Sequence, residues 1–178
     1  HVTNDIVHGL QVTQQDAERL KERAGAAWEP LVPESDVVEL PGTPGQGARN
    51  AHRQVLAHIM RMRLQETLEF AMDEITRAGY HQRLPAGVVL TGGGAQTPGI
   101  TELAREVFAM PVRVGKPGQG LAGLTDSVEA PRFTVLAGLG IYGTKQLVQG
   151  AGFGAGKRGS QAVEKWVGPV RKWLQDIF

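Results

Sequence analysis

The chain has 178 residues, enough for one or two domains with a hydrophobic core. With 19 basic against 18 acidic residues, its net charge of +1 gives no reason to expect nucleic acid as a partner. The absence of cysteine excludes a disulfide framework and thiolate chemistry, and the absence of any run of 18 apolar residues excludes a membrane-spanning helix in this sequence.

The start of the chain is expected to be internal to a longer protein. Position 1 is His rather than Met, and no signal-peptide pattern follows, so we expect a fragment. Two short helices are predicted here. Thr3 or Asn4 can cap the first helix, and Thr13 can cap the second, which Gly25 ends.

Two pairs of residues in the first half are candidates for binding chemistry. Glu18 and Lys21 lie three residues apart on the second helix and therefore share a face. By pattern alone, the favoured interpretation is an exposed ion pair that contributes little to stability. His52 and His58 are six residues apart and do not share a helix face, so we expect no metal site.

A long helix is predicted in the middle of the chain, from about residue 49 to 78. A strand over 37–40 and a turn-rich loop through 47 precede it, and Gly79 is its natural C-terminal stop. We expect one buried face on this helix, formed by Val55, Ile59, Met62, Leu64, Leu68, Met72 and Ile75.

The stretch 87–100 predicts a strand, a glycine turn and a helix in direct succession. The apolar run 87–90 is typical of a strand covered on both faces, and the glycines at 92–94 let the backbone turn sharply and approach a ligand. A P-loop is excluded because Ile100 stands where its Lys should be, and a dinucleotide fingerprint is weak because Thr97 replaces its third glycine. A structural turn and a shelf for a base and ribose remain.

The elements after this turn complete an α/β order. Apolar spacing predicts a helix over 100–108 and a short strand over 112–114. A small-residue helix is predicted near 133–141, after a glycine-rich loop, and we expect it to pack on the sheet. The fold class is therefore α/β, with too few strands for the sheet to stand alone.

The end of the chain differs in composition. Residues 146–162 predict a flexible Gly-rich linker, and 163–178 predict an amphipathic helix, with five basic and two acidic residues between 157 and 178. Docking of this helix on the domain core is the alternative, which we disfavour because so short a helix is marginal in water. The candidate membrane-binding residues are Trp166, Val167, Val170, Arg171, Lys172, Trp173, Leu174, Ile177 and Phe178.

A resemblance covers nearly the whole chain. Residues 90–100 (LTGGGAQTPGI) resemble the adenosine motif of the actin and Hsp70 ATPase superfamily. In addition, the segments 1–6 (HVTNDI), 17–21 (AERLK), 53–56 (RQVL) and 108–115 (FAMPVRVG) together resemble the FtsA family of bacterial cell-division proteins. The last six residues, WLQDIF, resemble the membrane-targeting helix of that family.

The resemblance implies part of an actin-like (ribonuclease H-like) ATPase fold, with 1–85 as subdomain IIB and 86–145 as the returning part of subdomain IIA. It implies ATP as the cofactor. The phosphate hairpins and the catalytic carboxylate would precede residue 1, so Mg²⁺ is expected only in a longer protein, no catalytic residue is assigned and this chain alone is expected to be inactive. The residues implied to hold the adenosine are Glu18, Lys21, Gly92, Gly93, Gly94 and Gln96.

The function implied by the resemblance is that of an ATP-binding, filament-forming adaptor. It would tie a ring of the tubulin-like protein FtsZ to anionic lipid on the cytoplasmic side of the bacterial inner membrane, at the division site, and recruit later division proteins. Two alternatives stay open, a pilus-assembly actin-like ATPase and a sugar-kinase-like enzyme. The amphipathic tail favours the first interpretation over both.

Overall fold

A computed structural model describes residues 1–42, 47–81, 83–117 and 128–148. The chain divides into two compact units, His1–Val135 and Leu136–Phe178. The helices in the described residues are α1 (Val2–Leu10), α2 (Gln14–Ala24), α3 (Arg53–Arg77), α4 (Ile100–Phe108) and α5 (Thr134–Val148). The strands are β1 (Val37–Leu40), β2 (Arg49–His52), β3 (Val88–Leu90) and β4 (Val112–Val114).

The two helices at the start of the chain form as expected, with one difference. In α2, the Thr13 Oγ1 atom accepts a hydrogen bond of 3.2 Å from the Asp16 N–H, and Gly25 follows the last turn, which confirms both predicted ends. The cap predicted for α1 is wrong: the helix begins at Val2, after His1, and no side chain caps it. The hydroxyl of Thr3 is therefore free for another partner.

The segment 49–52 is a strand, which corrects the predicted start of the long helix. β2 pairs antiparallel with β1, with Val38 opposite Ala51, and α3 begins only at Arg53. Strand and helix meet where the Arg53 N–H donates to the Asp36 carbonyl oxygen over 2.9 Å. Most side chains of β2 are exposed, so no alternation of apolar residues marks the strand in the sequence.

The predicted buried face of α3 is confirmed in part. Leu68 is buried, and the predicted residues that pack against the apolar clusters are Ile59, Leu64, Met72 and Ile75. Val55 and Met62 are instead 46% and 57% exposed, and Leu56, Ala57 and Met60 are buried although the prediction omits them. At the C-terminal end the prediction is confirmed, because Gly79 adopts a φ of +78° in a glycine-terminated helix end.

Two apolar clusters share α3. The first joins α1, α2, β1 and the start of α3 through Ile6, Leu10, Val12, Ala17, Leu20, Leu40, Leu56 and Met60. The second joins α3, α4 and β4 through Ala27, Leu68, Ile100, Leu103, Ala104, Phe108 and Val112. Full burial of each large side chain contributes about 1.5–3 kcal/mol, so α3 holds the two halves of the first unit in a fixed relation.

The strand before the glycine turn has one covered face. β3 pairs in parallel with β4, and Val88 and Leu90 pack on the second cluster. Val89 points the other way and is 46% exposed, so the expectation of a strand covered on both faces is wrong for the described residues. In β4, Val112 and Val114 turn inward together, as their spacing predicts.

The helix α5 confirms the last predicted helix, and it runs to Val148, three residues into the segment predicted as linker. Its packing on the sheet concerns the arrangement of the two units and stays a prediction. Residues 149–178, which include every candidate membrane-binding residue, lie outside the described part of the chain. No helix in that described part is long and apolar enough to cross a membrane.

An ion pair between α1 and α3 predicts a pH-dependent contribution to stability. The Asp5 carboxylate accepts two hydrogen bonds from Arg63, of 2.5 Å to Nε and 3.0 Å to a terminal nitrogen. The hydrogen bond from Arg63 lowers the pKa of Asp5 below its ordinary value of 3.8. Asp5→Asn should therefore lower the free energy of unfolding by about 0.5–1 kcal/mol at neutral pH.

The difference between wild type and Asp5→Asn should shrink in acid. Because the pKa is depressed in the folded state, the contribution is complete above 3.8 and is lost as the pH falls through the folded-state value. Urea unfolding over a pH series measures this. Glu74→Gln is the control, since Glu74 pairs with Arg77 with both side chains about 70% exposed, at 69% and 72%. A pH-independent difference for Asp5→Asn would contradict the assignment.

Candidate functional site

A cleft of about 740 Å³ lies within the first unit, between the first two helices and the glycine turn. Its volume is within the range of about 300–1,000 Å³ that is usual for small-ligand sites. Five of the six residues predicted to hold an adenosine line this cleft, namely Glu18, Lys21, Gly93, Gly94 and Gln96. Residues 75 positions apart in the sequence are thus brought to one site.

The sixth predicted residue, Gly92, does not line the cleft but begins the turn that does. It adopts φ +87° and ψ −177°, a conformation open essentially to glycine alone, and its N–H donates to the Pro131 carbonyl oxygen over 3.1 Å. The backbone then forms a 3-10 turn over Gly93–Gln96. A Cβ atom added at Gly93 or Gly94 would meet nothing within 4 Å, so bare backbone faces open space. This surface is the shelf, residues 93–96.

The segment after α2 fastens the shelf in place. The Ala27 N–H donates to the Pro98 carbonyl oxygen over 2.7 Å. At Gly99, where φ is +78°, an added Cβ would lie 2.3 Å from the Cβ of Trp28, so only glycine allows this approach. The distance between α2 and the shelf is therefore set by backbone contacts and does not depend on flexible side chains.

Glu18 and Lys21 form the predicted ion pair, and they do so on the wall of the cleft. Lys21 Nζ donates to Glu18 Oε1 over 2.7 Å, and the side chains are 29% and 45% exposed for Lys21 and Glu18. The sequence allowed an exposed ion pair or a pair that faces a ligand. The two are compatible, because the ion pair forms and both side chains line the cleft.

A third residue, Thr3, completes this wall. Its hydroxyl donates to Glu18 Oε2 over 2.7 Å and accepts from Lys21 Nζ over 3.1 Å. Hydrogen bonds from Lys21 and then from Thr3 lower the pKa of Glu18, so the carboxylate is ionised at neutral pH. Sequence analysis assigns Thr3 only a capping role, and no local signal could reveal a contact with a helix 15 residues away.

Two further charged residues of the cleft wall, Glu22 and Arg132, also escape the sequence analysis. Glu22 lies one position beyond Lys21 on α2. Arg132 belongs to a 3-10 turn, Pro131–Phe133, and its position in the sequence does not indicate that it lies near the glycine turn. The hydrogen bond from the Gly92 N–H to the Pro131 carbonyl oxygen helps to hold it there.

The described residues suit the nucleoside half of a nucleotide. A flat backbone shelf, a cationic donor, a carboxylate acceptor and a hydroxyl converge on one space, which matches the face and the hydroxyl groups of a ribonucleoside. The described ranges contain no group of three or more His, Cys, Asp or Glu placed to hold a metal. The arrangement can bind and orient a ligand.

Comparison with known proteins identifies the family that this chain resembles. A family described as "Cell division protein FtsA" matches residues 1–138. Curated proteins of that name are 33% identical over 184 residues in Pseudomonas aeruginosa and 34% identical over 184 residues in Escherichia coli K12. Each alignment covers 99% of this chain and 43% of the relative, so the chain spans less than half the length of these proteins.

Solved structures add the fold. Crystal structures of MreB 5 of Spiroplasma citri, bound to AMPPNP and to ADP, match with TM-scores of 0.57 and 0.55 at 14% sequence identity. The matches cover 85% and 84% of this chain and 45% of the MreB 5 chain. The likeness shows that the chain carries part of an actin-like α/β fold. Because the family model matches residues 1–138 and about a third of the aligned residues are identical in the two relatives, the chain belongs to the FtsA family of cell-division proteins.

Proposed function

We propose that this chain supplies the adenosine-binding half of the nucleotide site in an actin-like cell-division protein. The observation that carries this proposal is the convergence of Glu18, Lys21, Gly93, Gly94 and Gln96 on one cleft. The matching MreB 5 structures are described as bound to AMPPNP and ADP, which supports an adenine nucleotide as the ligand of a related fold.

Each wall of the cleft has a distinct task in this proposal. The shelf lies against the nucleoside, since a side chain at Gly93 or Gly94 would occupy the space the ligand needs. Lys21 donates to ribose oxygens and Glu18 accepts from ribose hydroxyls, as their charges allow. Thr3 holds this pair in position when no ligand is bound.

The nucleotide acts in this proposal as a conformational effector. ATP would bring its own phosphates and, in the full-length protein, a Mg²⁺ ion held by parts outside this chain. A ligand shifts the equilibrium between two conformations only if it binds one of them more tightly than the other. In this proposal the two states differ in how the phosphate-binding parts outside this chain meet the cleft, whose own width is held by the hydrogen bond between Ala27 and Pro98.

We further propose what the full-length protein does at the division site. An FtsA-family protein that forms a homopolymeric filament would join FtsZ to anionic lipid on the cytoplasmic face of the inner membrane, at the division site. The amphipathic pattern of 163–178 and its basic excess support the lipid contact. One short helix binds lipid weakly, and a filament would array many copies.

Gly93→Asp tests the shelf. The added side chain meets no protein atom within 4 Å, so the fold should tolerate it while the carboxylate occupies the ligand space and repels phosphate. We expect the full-length protein to lose at least about tenfold in ATP and ADP affinity, measured by calorimetry. Gly47→Asp is the matched control, because its added Cβ also meets nothing and Gly47 does not line the cleft. Equal affinity of both variants would mean that the turn is only structural.

Thr3→Val tests the positioning of the ion pair. Loss of the hydroxyl removes its hydrogen bonds to Glu18 and Lys21. Because these bonds position the pair and do not contact the ligand, we expect the effect of about one such bond, about 0.5–1.5 kcal/mol, which is about a three- to tenfold loss of nucleotide affinity. The pKa of Glu18 should rise, because one of the hydrogen bonds that lower it is lost. As the pH is lowered, nucleotide affinity should therefore begin to fall at a higher pH in Thr3→Val than in wild type. Thr3→Ser keeps the hydroxyl and should behave as wild type. An unchanged pH profile would contradict this role.

Deletion of 163–178 tests the membrane contact. We expect the intact chain to sediment with anionic liposomes and the shortened chain to remain in solution. Trp173→Glu should reduce binding about tenfold by placing a charge on the apolar side, whereas Gln175→Glu adds the same charge on the polar side and should have a small effect. Equal binding with and without 163–178 would contradict the proposal.

A further inference from the structure

Arg132 is a charged residue of the cleft wall that the adenosine assignment does not use. It lies in the first unit, on the 3-10 turn Pro131–Phe133, between β4 and α5. The inference drawn from it rests on the proposed function, because it concerns which part of the bound nucleotide this side chain contacts.

The backbone at Arg132 is tied to the glycine turn on both sides. Before it, the buried Pro131 accepts a hydrogen bond from the Gly92 N–H over 3.1 Å. After it, the Thr134 hydroxyl accepts a hydrogen bond from the Thr91 hydroxyl over 2.7 Å. Arg132 therefore keeps a fixed place beside the shelf, and movement of the shelf would carry it along.

The Arg132 guanidinium group contacts an aromatic ring and forms no ion pair with a carboxylate in the described part of the chain. Its Cζ atom lies over the Phe133 ring, 4.8 Å from the centroid. Within the described ranges, no carboxylate oxygen comes within 4.0 Å of its nitrogens, whereas most other arginines of the first unit have such a partner. The ring therefore lies on one side of the guanidinium group, and the Arg132 side chain is exposed and lines the cleft.

We propose that the open face of the Arg132 guanidinium stacks on the base of the bound nucleotide. Phe133, Arg132 and the base would then form three layers, with the shelf and the Glu18–Lys21 wall on the other sides. A guanidinium group that packs over an aromatic ring on one side suits a flat, electron-rich partner such as a purine on the other. A phosphate contact would instead use the N–H edge and gain nothing from the ring beneath.

In this assignment Arg132 raises the affinity for purines without forming hydrogen bonds to the edge of the base. Stacking depends on the area and polarisability of the ring system, so adenine and guanine nucleotides should both profit, and a pyrimidine nucleotide should profit less. The number of phosphates should not change the size of the effect. These expectations distinguish stacking from charge attraction.

The test is equilibrium binding of ADP and AMP to the full-length protein and its variants. Arg132→Ala should weaken both ligands by the same factor, about tenfold. Arg132→Tyr keeps a planar group and should retain most of the affinity, whereas Arg132→Lys keeps the charge and should not. The control is Arg113→Ala, which removes the same charge from an exposed site on β4 outside the cleft and should bind as wild type.

The outcomes separate this inference from the proposed function. If the wild type binds ADP and Arg132→Ala binds it equally well, stacking is wrong and the adenosine cleft stands. If Arg132→Lys restores affinity, or if ADP loses more than AMP, Arg132 contacts phosphate and the stacking assignment is overturned. If the wild type binds no purine nucleotide, the proposed function fails and this inference fails with it.

Discussion

The site depends on a backbone contact between the end of α2 and the glycine turn. Pro98 accepts a hydrogen bond from Ala27 over 2.7 Å, and the absence of a Cβ at Gly99 lets the chain pass against Trp28. Trp28 is held in turn by Arg61, whose Cζ lies 5.3 Å from the ring centroid. Because these contacts involve backbone and rigid planar groups, they set the width of the cleft with little freedom.

The long helix α3 gives this contact a stable base. It contributes Leu56 and Met60 to one apolar cluster and Leu68 to the other. Arg61 extends the connection to α4 through a 3.1 Å bond to Glu106. The wall that carries the ion pair and the shelf therefore rest on opposite ends of one helix, so a change in either cluster would be transmitted to the cleft.

The cleft offers groups suited to binding. Its described residues are a carboxylate, an ammonium group, a hydroxyl and a bare backbone surface, and we propose that they recognise a nucleoside. We propose that phosphate and metal contacts come from outside this chain, which spans 43% of the length of the relatives it matches. In the proposal, assembly of both halves around one nucleotide links occupancy to conformation.

Local signals in the sequence determined the elements and part of the site. The cap at Thr13, the stops at Gly25 and Gly79 and the glycine turn depend on residues within a few positions. The FtsA resemblance predicted five residues that line the cleft. The strand over 49–52, the buried face of α3 and the roles of Thr3 and Arg132 were decided by tertiary structure. Each of these depends on a distant partner: paired residues of β1 and β2 are 9 to 15 positions apart, Thr3 and Glu18 are 15 apart, and Gly92 and Pro131 are 39 apart. No short-range pattern encodes such a partner.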